Sequence, residues 1–263
     1  MRVCFIGDSH LACIKQAWDD GIAEQNPQIE ATYFALPGKG MDYLTVQDGC
    51  LGSSEDKIAR TLKFTSGGLA RIEPSYDAYV LHGMHLSIVS ALELCREPEI
   101  RRRLRNPDFL ASAEFRERLC SAIENSVGIG VLRKLRMITQ ALAVIAPTPF
   151  ADARLPALRS KMVQFGAARP LAVAFNDIAS LVCRDLGAVF VPQSAETLAD
   201  DGLAAKAEYS LNPSRFHDAA AKEDPSHMNE QYGAITLTAL LEAVSVACSG
   251  APNDQSAATS AAL

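Results

Sequence analysis

Two short stretches near opposite ends of this chain carry residue types that can do chemistry together. Val3-Cys4-Phe5-Ile6 has the apolar, partly β-branched composition of a buried strand, Gly7 interrupts it, and Asp8-Ser9-His10 follow. Far downstream stands Asp224-Pro225-Ser226-His227. A serine hydroxyl is a weak nucleophile at neutral pH and needs an adjacent base, commonly a histidine oriented by a carboxylate. Ser9, His227 and Asp224 supply one group of each kind. Their separation along the second stretch lets the Asp224 carboxylate reach one ring nitrogen while the other faces Ser9, provided that stretch packs against the end of the first strand. The plainer reading of Asp8 or Ser9 is a cap for the helix that follows.

The elements needed to bring these groups together are visible as pattern. Leu11, Ile14, Ala17, Trp18 and Ile22 have helical spacing, predicting a helix over Leu11 to Glu24 that Gly21 weakens. Ile29 to Leu36 reads as a second strand and ends in Pro37-Gly38-Lys39-Gly40, where a backbone amide can come close to a ligand. Its GxG lacks the third glycine and the helix of a dinucleotide site. Tyr43 to Lys63 reads as irregular, with room for short strands over the sheet edge, and Tyr76 to Leu81 as a third strand leading into His82-Gly83-Met84-His85. Residues 86–142 are mostly helical by pattern, with Asn106-Pro107 as cap and first turn of a helix from Asp108 to Asn125. Ala141 to Ala146 and Ala188 to Val191 read as fourth and fifth strands, with a helix from Pro170 to Leu186 between them. Strands alternating with helices predict an α/β fold, a mostly parallel five-stranded sheet in a three-layer α/β/α sandwich. Ligands of such sheets lie at the carboxyl ends of the strands, where Ser9, Gly38 and His85 all fall. Residues 1–248 are expected to form a single domain with a helical insertion at about 86–142, and 249–263 an alanine- and serine-rich disordered tail.

Composition narrows the partners. The 263 residues are 48% hydrophobic and 21% charged, with a net charge of −6, and show no basic footprint for nucleic acid or an anionic membrane surface. No window reaches the roughly 18 uninterrupted apolar residues of a membrane helix. Seven cysteines, an odd number without CxxC pairs, fit reduced packing thiols better than a disulfide framework or a zinc site. The chain enters its first strand without the features of a secretory signal, so a cytoplasmic location is expected. The arginine run Arg101-Arg102-Arg103 reads first as a solvated helix face, second as a site for an anion. A small-molecule substrate is expected; nothing indicates oligomeric state.

Taken in order, Gly7-Asp8-Ser9, Gly38, Gly83-Met84-His85 and Asp224-x-x-His227 resemble the four sequence blocks of the SGNH hydrolases, the GDSL-like esterases. The resemblance spans nearly the whole chain ahead of the tail. It implies the flavodoxin-like SGNH fold, ester hydrolysis through an acyl-enzyme without metal or organic cofactor, Ser9 as nucleophile, His227 as base and Asp224 as its orienting acid. Backbone amides of Ser9 and Gly38 would donate to the oxyanion. The family's third oxyanion donor is an asparagine where this chain has His85; an imidazole can donate one hydrogen bond, with different geometry. His82 is an alternative donor, although it reads first, like His217, as an ordinary histidine, and His10 reads as a residue of the first helical turn. The family resemblance implies a small acyl ester, with O-acetylated carbohydrate among the candidates.

Three other readings start from the same residues. The triad can pass its acyl group to a sugar hydroxyl, making the chain an O-acyltransferase. Asp8-x-His10 is similar to the first ligand pair of calcineurin-like metal-dependent phosphoesterases, although no GDxxD or GHxH block accompanies it. The missing asparagine also fits a noncatalytic ligand-binding protein on the same fold.

Overall fold

The computed structural model describes residues 1–150, 162–163, 166–211 and 224–249, with the backbone alone at 107 and 224–226. Five strands form its central sheet: β1 (Arg2–Gly7), β2 (Glu30–Ala35), β5 (Ala78–His82), β6 (Leu142–Ala146) and β7 (Ala188–Phe190). Two short strands, β3 (Thr45–Gln47) and β4 (Cys50–Gly52), make a separate hairpin. The central order is β2-β1-β5-β6-β7 and every pairing is parallel. Along β1 the side chains alternate between faces: Val3 and Phe5 enter one core, Cys4 and Ile6 the other. Both faces are covered, which is why the run shows no polar alternation in sequence.

One face is covered by α1 (Leu11–Ala17) and the C-terminal helix α9 (Glu230–Ser249). There Phe5 stacks on Tyr33 at 4.7 Å between centroids, a pair worth about 1 kcal/mol beyond area burial. On the other lie α3 (Asp56–Ser66), α4 (Ile88–Leu94), α5 (Pro98–Arg103), α6 (Ala113–Glu124), α7 (Val127–Arg136) and α8 (Ala168–Asp185). From β1 the chain moves to β2 on one side, and from β5 it moves to β6 on the other. The crevice between the carboxyl ends of β1 and β5 is therefore the switch point of the sheet, the position where open α/β sheets place ligands.

Three local expectations change. Gly21, at φ 132°, breaks the first helix: α1 ends at Ala17 and a π turn over Trp18–Ile22 leads into a last short turn, α2 (Ala23–Gln25). The stretch from Tyr43 to Lys63 is not irregular throughout, because α3 occupies its end. Only Ile58 and Leu62 of α3 are buried, a stripe too narrow to stand out as periodicity. Asn106 caps a 3-10 turn over Pro107–Ala111, and Ser112 starts α6 by accepting the Phe115 N–H at 3.3 Å.

Helix α9 reaches a mean hydropathy of 1.4, enough by length and composition to cross a membrane, but Tyr232, Gly233, Leu237 and Leu240 of this helix are buried in the core it shares with α1. At the crossing, a Cβ on Gly233 would stand 2.1 Å from the Cys13 carbonyl oxygen of α1. All seven cysteines are free thiols, and burial raises Cys13, Cys95 and Cys183 to about 12, as expected of packing residues.

Candidate active site

The loop after β1 is built on a close approach and a buried carboxylate. Gly7 lies beside β5 so tightly that a Cβ there would stand 2.6 Å from the His82 carbonyl oxygen. Asp8 is 4% exposed. One of its oxygens accepts the His10 N–H at 3.0 Å and the other the Met84 N–H at 2.8 Å. The first bond closes a local turn rather than the helix cap expected from sequence, because the N-cap of α1 is His10 and no side chain caps it. The second ties the β1 loop to the β5 loop across 76 residues and was not legible from spacing. Hydrogen bonds to a charged acceptor stabilise by about 1.5 to 3 kcal/mol each, so Asp8 positions both loops.

That bond also explains the backbone of the β5 loop. Gly83, Met84 and His85 have φ of 81°, 55° and 59°, three left-handed residues in succession. Gly83 has no alternative residue, since a Cβ would fall 2.6 Å from an Asp8 oxygen. Met84 is held from both sides, its N–H by Asp8 and its carbonyl by the Gly128 N–H at 2.8 Å. His85 emerges from this turn exposed.

Ser9 stands exposed at the end of β1, and the His227 Nε2 lies 2.9 Å from its Oγ, across 218 positions. The histidine sits on β9 (Asp224–Met228), antiparallel to β8 (Ser210–Leu211). Asn229 anchors the segment between β9 and α9. Its N–H donates to the Tyr209 carbonyl at 2.9 Å and its side-chain amide to the Glu208 carbonyl at 2.7 Å, while its Oδ1 accepts the Tyr232 N–H at 3.1 Å. The His227 ring stacks on the His10 ring at 4.9 Å between centroids. In the tautomer protonated at Nδ1, Nε2 accepts from the Ser9 hydroxyl, the geometry for removing its proton. Sequence alone gave His10 no more than a place in the first helical turn, and Asn229 the opening of the last helix, which its bond to the Tyr232 N–H provides. A face-to-face ring and a cap on a distant carbonyl leave no signal in residue spacing.

The remaining expected site residues fall as follows. Gly38 occupies the turn after β2 with φ 59°. Among the described residues no acceptor takes the N–H of Ser9 or Gly38, two amides at the carboxyl ends of adjacent strands. Asp224 is the first residue of β9, but its side chain lies outside the described residues, as does all of His217. Among the described residues no three His, Cys, Asp or Glu side chains gather as a metal site requires, and both Asp8 oxygens are already taken by amides. Of the arginine run, Arg103 pairs with Glu114 at 2.5 Å and lies 4.1 Å over the Phe109 ring, while Arg101 and Arg102 stay exposed.

His82 is a different case from His85. It is fully buried under the site, and neither ring nitrogen has a partner among the described residues. Burial, and secondarily the nearby His10, push its pKa from 6.5 down to about 3. Between those values the unfolded chain binds a proton at this position that the folded chain refuses. Folding stability therefore falls as pH drops through that window, by about 1.4 kcal/mol per pH unit. His82→Leu is expected to flatten the acid limb of stability, read by urea unfolding at a series of pH values. An unchanged slope in the variant would assign the acid sensitivity to another group.

No family model matches the chain, and no curated protein matches it. Similar solved structures include an extracellular lipase from Streptomyces rimosus, at 12% identity and a TM-score of 0.49, covering 92% of this chain and 99% of that one. A phospholipase A1 from Streptomyces albidoflavus is 13% identical, with a TM-score of 0.45 and coverage of 92% and 98%. A protein from Lactobacillus plantarum is 13% identical, with a TM-score of 0.41 and coverage of 93% and 96%. At these values the site must be read from its own geometry.

Proposed function

We propose that this chain is an ester hydrolase of the SGNH type, acting through an acyl-enzyme on Ser9. The observation that carries the reading is the 2.9 Å approach of the His227 Nε2 to the Ser9 Oγ at the switch point of a parallel sheet. As Ser9 Oγ bonds to the ester carbonyl carbon, His227 takes the hydroxyl proton. The tetrahedral oxyanion is met by the amides of Ser9 and Gly38, with His85 as a third donor in place of the family asparagine. The C–O bond to the alcohol then breaks and His227 returns the proton to the departing oxygen. Water attacks the acyl-enzyme with His227 again accepting a proton, releasing the acid and restoring Ser9. Asp224 holds the imidazolium in this scheme, and Asp8 acts as a positioning residue through its bonds to both loops.

The direct test is covalent. A fluorophosphonate probe is expected to add one phosphonyl group per chain, located by peptide mass spectrometry on Ser9 and lost in Ser9→Ala. Unlabelled, folded wild-type protein would rule out a nucleophilic Ser9 and favour a noncatalytic ligand-binding role.

A further inference from the structure

Beside Ser9 opens a cleft of about 340 Å³ that the mechanism above leaves unused. Helix α1 contributes Leu11, Ala12 and the stem of Lys15 to it, the edge strand β2 contributes Tyr33 and Ala35, and α3 contributes Phe64. Ser9 itself lines it, so whatever fills the cleft is joined to, or adjoins, the reacting ester. Its charges are already answered. Asp8 is held by the two amides, and Lys15 pairs with Asp19 one helical turn on and lies 5.5 Å from the centre of the Tyr33 ring. An ionic ligand would find no unpaired charge among these residues. Phe64, which lines the cleft, is 87% exposed, so its ring is open to an apolar group entering there.

We infer that this cleft holds a straight hydrocarbon chain of the ester, so that the substrate is a neutral ester with a medium-length chain and not an acetyl carbohydrate. The inference rests on the reading of Ser9 as nucleophile for its kinetics, but not for binding. A hydrocarbon chain can enter from the acyl or from the alcohol side of the ester, and the two are separated by experiment. Each methylene taken from water is expected to raise kcat/KM about threefold or more until the cleft is full.

The test uses nitrophenyl acetate, butyrate, hexanoate and octanoate for the acyl side, and the acetates of propanol, hexanol and octanol for the alcohol side. The expected result is a rise in kcat/KM along one series. Ala12→Trp, at an exposed position of α1, is expected to fill the cleft and to lower the hexanoate-to-acetate or hexyl-to-propyl ratio at least tenfold. Phe64→Ala should lower the same ratio severalfold, and both variants change surface residues, so circular dichroism should match wild type. Calorimetric binding of the same esters to Ser9→Ala is expected to tighten with chain length and to lose that dependence with Ala12→Trp added. Flat responses in both series, with Ser9 labelled by the fluorophosphonate, overturn the hydrocarbon cleft and leave the hydrolase. Chain-dependent binding without labelling keeps the cleft and removes the hydrolase; flat binding removes the cleft whatever Ser9 does.

Discussion

His227→Gln is expected to lower kcat for a nitrophenyl ester by about 10⁴- to 10⁶-fold with little change in KM, the loss seen when one member of a serine–histidine pair is removed. Glutamine keeps much of the imidazole's volume and hydrogen-bonding capacity, and His227 lies partly exposed beyond the core, so the fold should survive. Without a group that accepts and returns a proton at the Ser9 Oγ, the hydroxyl stays a poor nucleophile. The sharper form of the test is the double variant. Residues acting as one unit are grossly non-additive, so Ser9→Ala with His227→Gln should be no slower than either alone. Activity within tenfold of wild type in His227→Gln would mean that the 2.9 Å contact is a structural hydrogen bond and that catalysis, if any, uses another base.

Gly233→Ala is expected to be strongly destabilising, since no other described glycine would place a Cβ so close to backbone. In α9 the new Cβ would meet the backbone of Cys13, with the carbonyl oxygen at 2.1 Å and the carbonyl carbon at 2.6 Å, and Ala17 Cβ at 3.3 Å. None of these atoms can swing aside, so the two helices must separate. Overpacking of this kind typically destabilises by about 1 to 3 kcal/mol, and a clash with rigid backbone belongs at or above the top of that range. Because His227 and Asn229 lie just before α9, separation also moves the imidazole from Ser9, and activity should fall with stability. The control is Gly130→Ala in α7, where a Cβ meets nothing within 4 Å. Better helix propensity there should stabilise by about 0.5 to 1 kcal/mol. Urea midpoints for the two variants should therefore move in opposite directions. Equal, small shifts would mean that the α1–α9 crossing is loose.

How much of this was written in the chain can be judged residue by residue. The five central strands fall within a residue or two of their apolar runs, because strands covered on both faces must be apolar continuously and short runs between turn signals have no other comfortable fate. Ser9 at a strand end was equally legible, and His227 as its partner from residue type alone; the 2.9 Å approach of the two is what the structure adds. Helix α3 was lost because two buried side chains make too faint a stripe, and the break at Gly21 because a positive φ leaves no mark on periodicity.

The sequence by itself therefore determined the α/β class, the parallel layout and which residue types stand at the strand ends. Only the tertiary structure decided which of them meet. The Ser9–His227 contact spans 218 positions, the Asp8–Met84 bond 76, and Gly233 earns its place only against a carbonyl of another helix. Local pattern reports how a segment relates to water and to its own backbone. A distance between remote side chains depends instead on how whole elements pack, and packing at van der Waals contact is a property of pairs of surfaces that no single stretch contains.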